Sequence, residues 1–254
     1  MFVFSSNYSQ AVQSNSIHTG SEAFEVATIK PVDSHGQHMV GTSVYPGGGV
    51  QLQGMSLKDL ICAAFNLSYL QLSGGENWMD SEKYDVVAKP PDSIEAIHPN
   101  TGHDLFHIED PQIRRMLQTL LVERFHLKYH LEAKTGKVFL LERGKGPLRL
   151  KQVTSSNDGT GGIGFAGTWV ISNMTMPQLA KFAGSTFLHR PVLDKTGLSG
   201  SYDFQSEPES WESYSADTSG SFIDLIHEIG LRLEPGQGNV EIFVIDHAEQ
   251  PSPN

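Results

Sequence analysis

The sequence predicts an α+β protein of two pseudo-repeats, each a small antiparallel sheet covered by two helices in the order β-α-β-β-α-β-β. Three observations predict it. Met55-Ser56-Leu57-Lys58-Asp59-Leu60-Ile61 returns as Met174-Thr175-Met176-Pro177-Gln178-Leu179-Ala180, an offset of 119 residues (174 − 55). Tyr84-Asp85 returns as Tyr202-Asp203 at almost the same offset, 118 (202 − 84). Apolar residues around both blocks recur with periods near two and near 3.6, the signatures of half-buried strands and amphipathic helices. A fixed offset with matched chemistry marks an internal duplication.

The elements follow in order. Residues 1–22, rich in Ser, Asn and Gln and without Lys or Arg, read as a disordered leader or the remnant of an export signal. A complete secretory signal needs a basic start and an apolar run of about 7–15 residues. The first repeat spans 23–150. Phe24–Pro31 alternates as a strand ended by proline, residues 32–48 form a loop, and Val50–Gln53 alternates again. Ser56 and Asp59 make a capping box ahead of the stripe Leu57, Leu60, Ile61, Ala64, Phe65. Short strands are expected at Leu70–Leu72 and Tyr84–Lys89. Asp110-Pro111 opens a second helix, since proline at the first helical position loses no hydrogen bond. Lys134-Thr135-Gly136-Lys137 then reads as the turn of a β-hairpin.

Residues 151–167 are polar and Gly-rich, the pattern of a linker. The second repeat, 168–254, starts at Thr168-Trp169-Val170-Ile171-Ser172. Thr175 and Gln178 repeat the capping box, and Met176, Leu179, Phe182 and Ala183 repeat the stripe. Ser221 and Asp224 suggest a third box. Pro235-Gly236-Gln237-Gly238 suggests a second hairpin turn.

Composition narrows the function. Of 254 residues, 18 are Lys or Arg and 29 Asp or Glu, a net charge of −11. Neutralising phosphates requires a basic face, so no nucleic acid partner is expected. No run reaches the ~20 apolar residues of a spanning helix, so the protein is not expected to be membrane-embedded. Cys62, the only cysteine, sits in the apolar stripe and reads as an inert buried thiol.

Phe24-Glu25-Val26-Ala27-Thr28-Ile29-Lys30-Pro31, Gly74-Gly75-x-x-Trp78, Leu120-Leu121-x-x-Arg124-Phe125, Pro191-Val192-x-Asp194-Lys195-Thr196-Gly197-Leu198 and the ending Val244–Ser252 resemble an uncharacterised soil-associated protein family expanded in acidobacteria. The likeness runs from residue 24 to 254. It implies a periplasmic or secreted protein, because members follow a signal peptide. It also implies association with a membrane metallopeptidase, because some members are fused to sensors of the β-lactam-receptor type. It implies no activity, substrate or cofactor. The helix-then-short-strand units are also similar to the small secretin and TonB amino-terminal domains.

Few residues invite chemistry. His103, His107 and Glu109 have spacing workable for a metal such as zinc, though on a loop bounded by Pro and Gly a solvated loop is the plainer reading. Asp194-Lys195-Thr196-Gly197 matches the aspartyl-phosphate motif of P-type ATPases on letters, yet reads as a strand-closing turn. Gly162-Ile163-Gly164-Phe165-Ala166-Gly167 satisfies the dinucleotide pattern, but its neighbours are a polar segment and a strand rather than a strand and a helix. Asp246 and His247, adjacent in a strand, point to opposite faces. Trp78 and Trp169 are candidate aromatic platforms for a ligand. The expected function is a non-catalytic extracytoplasmic domain binding a protein, peptide or glycan. The alternative is a hydrolase, metal-dependent or not, acting from the His-rich loop or a cleft between the repeats.

Overall fold

The computed structural model describes residues 23–32, 40–91, 108, 110–153, 162–165, 168–207 and 218–251. The fold is α+β. In the first half, β1 (Val26–Pro31), β2 (Gly41–Val44), β3 (Val50–Ser56) and β5 (Lys83–Lys89) form a sheet in the order β1-β5-β3-β2. Helices α1 (Leu57–Phe65) and α3 (Pro111–Arg124) cover it, and β4 (Leu72–Gly74) and the short α2 (Trp78–Ser81) lie between. In the second half β7 (Lys151–Gln152), β8 (Gly162–Phe165), β9 (Trp169–Thr175) and β11 (Ser201–Gln205) form the sheet β7-β11-β9-β8. It carries α4 (Met176–Phe182), extended by a π-helical turn over Ala183–Leu188, and α5 (Thr218–Glu228).

The repeated helices start as their local chemistry dictates. Ser56 Oγ accepts from Asp59 N while the Asp59 carboxylate accepts from Ser56 N, and Thr175 and Gln178 make the same exchange. The boxes satisfy backbone donors that the first turn leaves orphaned. Each helix then buries one stripe. Leu57, Leu60, Ile61 and Ala64 enter the first core, and Met176, Leu179, Ala180 and Ala183 the second. Burying each large side chain contributes about 1.5–3 kcal/mol.

The Tyr-Asp repeat has a structural cause. Gly54 (φ 60) and Asn173 (φ 46) occupy equivalent left-handed bulge positions. Asp85 Oδ1 accepts from Gly54 N at 2.8 Å, and Asp203 Oδ1 accepts from Asn173 N at 2.7 Å. The ladders shift register between Leu52 and Met55 and between Tyr202 and Phe204. In each copy the Tyr fills the core and the following Asp pins the bulge beside it.

Two expectations are corrected by what joins the halves. Neither hairpin forms. β6 (Lys128–Arg143) and β12 (Leu231–His247) are single strands that pair with each other along nearly their whole length, Gly136 opposite Gly238. β10 (Val192–Asp194) and β4 flank them in a third sheet, β10-β6-β12-β4. The pairing is pseudo-symmetric. Val192 pairs with Phe139 as Leu72 pairs with Phe243, at offsets of 120 (192 − 72) and 104 (243 − 139). Thr135 and Asn239, also 104 apart, are each other's partners, so the pseudo-dyad passes through them. Thr135 Oγ1 donates to Asn239 Oδ1 at 2.6 Å. Each core thereby receives side chains from the other half: Phe243 and Ile245 enter the first, Leu141 the second.

The stretch 151–167 expected as a linker instead supplies β7 and β8. β8 pairs with β9 as β2 pairs with β3, and Lys151 faces Asp203 as Lys30 faces Asp85. Two smaller corrections concern helix starts and loops. α5 begins at Thr218, upstream of Ser221, whose Oγ accepts from Trp169 Nε1 at 3.0 Å rather than capping the helix. The loop expected over 32–48 contains β2.

Candidate functional site

Helices cover one face of each repeat sheet and leave the other to solvent. On the second sheet this outer face carries an open groove of about 630 Å³. Strand alternation builds it: Ile171 and Tyr202 point to the core, while Val170, Ser172, Asp203 and Gln205 line the groove with Lys151 of β7. Arg149, Glu207 and Glu228 stand at its margins. Arg149 Nη1 lies 3.3 Å from Glu228 Oε1, an exposed pair. Asp203 is already engaged by the bulge amide. The groove thus offers two cations, three carboxylates and the exposed Val170, with no imidazole or thiol among its described lining residues. Such a surface can hold an extended chain by mixed charge and side-chain hydrogen bonds.

The residues singled out in the sequence lie elsewhere. His103, His107 and Glu109 fall outside the described residues. Among the described residues no three His, Cys, Asp or Glu side chains converge to hold a metal. Trp169 is 4% exposed, with Phe187 and Phe222 edge-on to its ring. Trp78, at the start of α2, packs half-buried against the first core. It stands 120 residues before Leu198 (198 − 78), which packs against the second core in the equivalent loop. Cys62 is buried, and burial, with the Asp59 charge, pushes its thiol up to about 12. Asp194 Oδ1 accepts from Thr196 N and Thr196 Oγ1, a closed turn. Gly162–Phe165 is strand β8.

Two polar clusters reach beyond what the sequence shows. Asp59, buried in the first turn of α1, accepts from Tyr69 Oη at 2.5 Å and from Ser56 Oγ at 2.7 Å, with Lys83 Nζ at 3.3 Å. At the end of the long ribbon, Glu249 lies between His247 Nε2 (3.0 Å) and His126 Nδ1 (3.3 Å). The hydrogen bond from His247 and the His126 charge hold the Glu249 carboxyl below its usual range. His130 Nδ1 takes Asp246 at 2.9 Å, so Asp246 and His247 serve separate partners. His130 lies 116 residues from Asp246 along the chain, a partnership that spacing within one segment does not show.

Fold and groove define a class: a duplicated α+β protein interlocked through one shared sheet, with an open outer sheet face. The chain belongs to the family described as protein of unknown function DUF3738, which matches residues 58–248. No curated protein and no solved structure matches it. Among the described residues no helix is long and apolar enough to cross a membrane.

Proposed function

We propose that this is a non-catalytic, extracytoplasmic binding domain that takes an extended segment of a protein partner along the outer face of its second sheet. One observation carries the reading: the open groove over β7, β9 and β11, which pairs exposed Val170 with charges of both signs. A sheet face presents side chains rather than free strand backbone, so the segment is held by its own side chains and by hydrogen bonds from its main chain to the groove's charged and amide groups. The extracytoplasmic compartment and the association with a membrane metallopeptidase follow from the family resemblance alone.

The test is a peptide library, followed by calorimetry on the best binder. Lys151→Gln and Val170→Thr change exposed positions without setting a like charge opposite Asp203, so stability should stay within about 0.5 kcal/mol of the parent. Each should weaken binding about tenfold, or about 1.4 kcal/mol. A peptide bound equally by the parent and both variants would remove the groove from consideration. Binding of cell-wall glycans with no peptide binding would replace the partner class.

A further inference from the structure

The two long strands are equivalent in the ribbon but not at their outer edges. Phe139 N donates to the Pro191 carbonyl, and Lys195 N donates to the Leu141 carbonyl. Odd-numbered residues of β6 therefore aim their backbone groups outward. β10 occupies this edge only over 139–141, and among the described residues no strand pairs with it over 128–137. On β12 the same stretch is blocked. Pro235, equivalent to Leu131 at the offset of 104, has no N–H to give, and the Glu241 carbonyl accepts from Gln71 Nε2. On β6, by contrast, Leu131 is 54% exposed and the neighbouring side chains from His130 to Thr135 are exposed too.

We propose that this edge is a self-association surface, where β6 pairs antiparallel with β6 of a second copy of the chain about a two-fold axis at Ala133. Charge selects this register. With Ala133 opposite Ala133 of the second copy, Glu132 of each chain faces Lys134 of the other, while Leu131 faces Thr135. Sliding the strands by two residues in either direction puts Glu132 against Glu132 or Lys134 against Lys134, and like charges directly opposite destabilise a sheet. Within one chain the two side chains already pair, Lys134 Nζ lying 3.1 Å from Glu132 Oε2, so the dimer closes a four-charge cluster of zero net charge. The odd residues of both copies present donors and acceptors to each other, as an antiparallel ladder requires. The contact is isologous and closes on itself, so it ends at a dimer rather than a fibre.

Sedimentation velocity of the full chain across a concentration series tests it. Expected is a reversible dimer. Leu131→Pro, which copies the β12 edge at an outward N–H, should leave a monomer with unchanged melting. Glu132→Lys should weaken the dimer at least about tenfold, the equivalent of about 1.4 kcal/mol. Lys134→Glu should do the same, and mixing those two variants should restore a heterodimer. The Glu132→Lys/Lys134→Glu double variant should restore the homodimer. If Leu131→Pro lowers the melting temperature, the charge variants decide alone. A chain that stays monomeric up to millimolar concentration overturns the proposal. So does a dimer indifferent to both charge reversals, and so does a monomer whose Leu131 and Thr135 amides are protected from exchange only by an added foreign strand peptide.

Discussion

Asp59 shows how much one side chain can hold. Burial by itself would raise its pKa, but the hydrogen bonds from Tyr69, Ser56 N and Ser56 Oγ, with the charge of Lys83, outweigh burial and lower it. Because the folded value lies below the unfolded one near 3.9, Asp59 contributes stability that is present above about pH 4 and is lost as pH falls towards the folded pKa. Asp59→Asn should cost about 1–3 kcal/mol in urea unfolding at neutral pH, and the gap to the parent should shrink in acid. A gap constant across pH would disprove the carboxylate's role. The capping half of this cluster was legible, because Ser56 and Asp59 are three residues apart. Tyr69 and Lys83, 10 and 24 residues from Asp59, were not. The bulge offers a second residue-scale test. Asn173→Gly should be neutral or stabilising by up to about 1 kcal/mol, since glycine adopts positive φ without strain. Asp203→Ala should lose about 0.5–1.5 kcal/mol, the net worth of the exposed hydrogen bond to the Asn173 amide. Chemical denaturation of both variants measures the two signs together.

Among the elements, local structure is legible in the sequence and strand pairing is not. Period-two alternation marks the two ends of β6 and of β12 as strand, each pair expected around a hairpin turn, but alternation carries no information about which strand lies alongside. Gly136 and Gly238 looked like turn residues. They instead face each other mid-ribbon, where the two long strands find in each other a longer ladder than either could make by folding back. β8 was hidden because its glycines mimic a linker. Where glycine is indispensable, the cause is close approach. Gly230 has φ +85, and a Cβ there would come within 2.3 Å of the Pro147 carbonyl oxygen. That oxygen and the Leu148 Cα, at 3.0 Å, are backbone and cannot rotate aside. Gly230→Ala should therefore destabilise by about 2 kcal/mol or more, visible as a lowered melting temperature; unchanged melting would mean that the turn between α5 and β12 relaxes freely.

The whole molecule is one cooperative unit because neither core is complete without the other half. Ladder pairs between β6 and β12 join residues from 88 (231 − 143) to 119 (247 − 128) positions apart, so folding waits on distant contacts and should be slow for its size. Separately produced chains 1–146 and 147–254 should each lack a cooperative melt and regain one on mixing. An independent transition in either fragment would contradict the exchange of Phe243, Ile245 and Leu141. The duplication itself was legible from the matched helices and Tyr-Asp pairs. The interlock was not, because it resides in partners a hundred residues away. The ribbon also acts as a ruler. Successive side chains alternate faces, so one residue added to a single long strand between the cores would turn Leu141 or Phe243 away from the core it fills. Descendants of this chain can lengthen or shorten that span only by even steps, and only in both strands together.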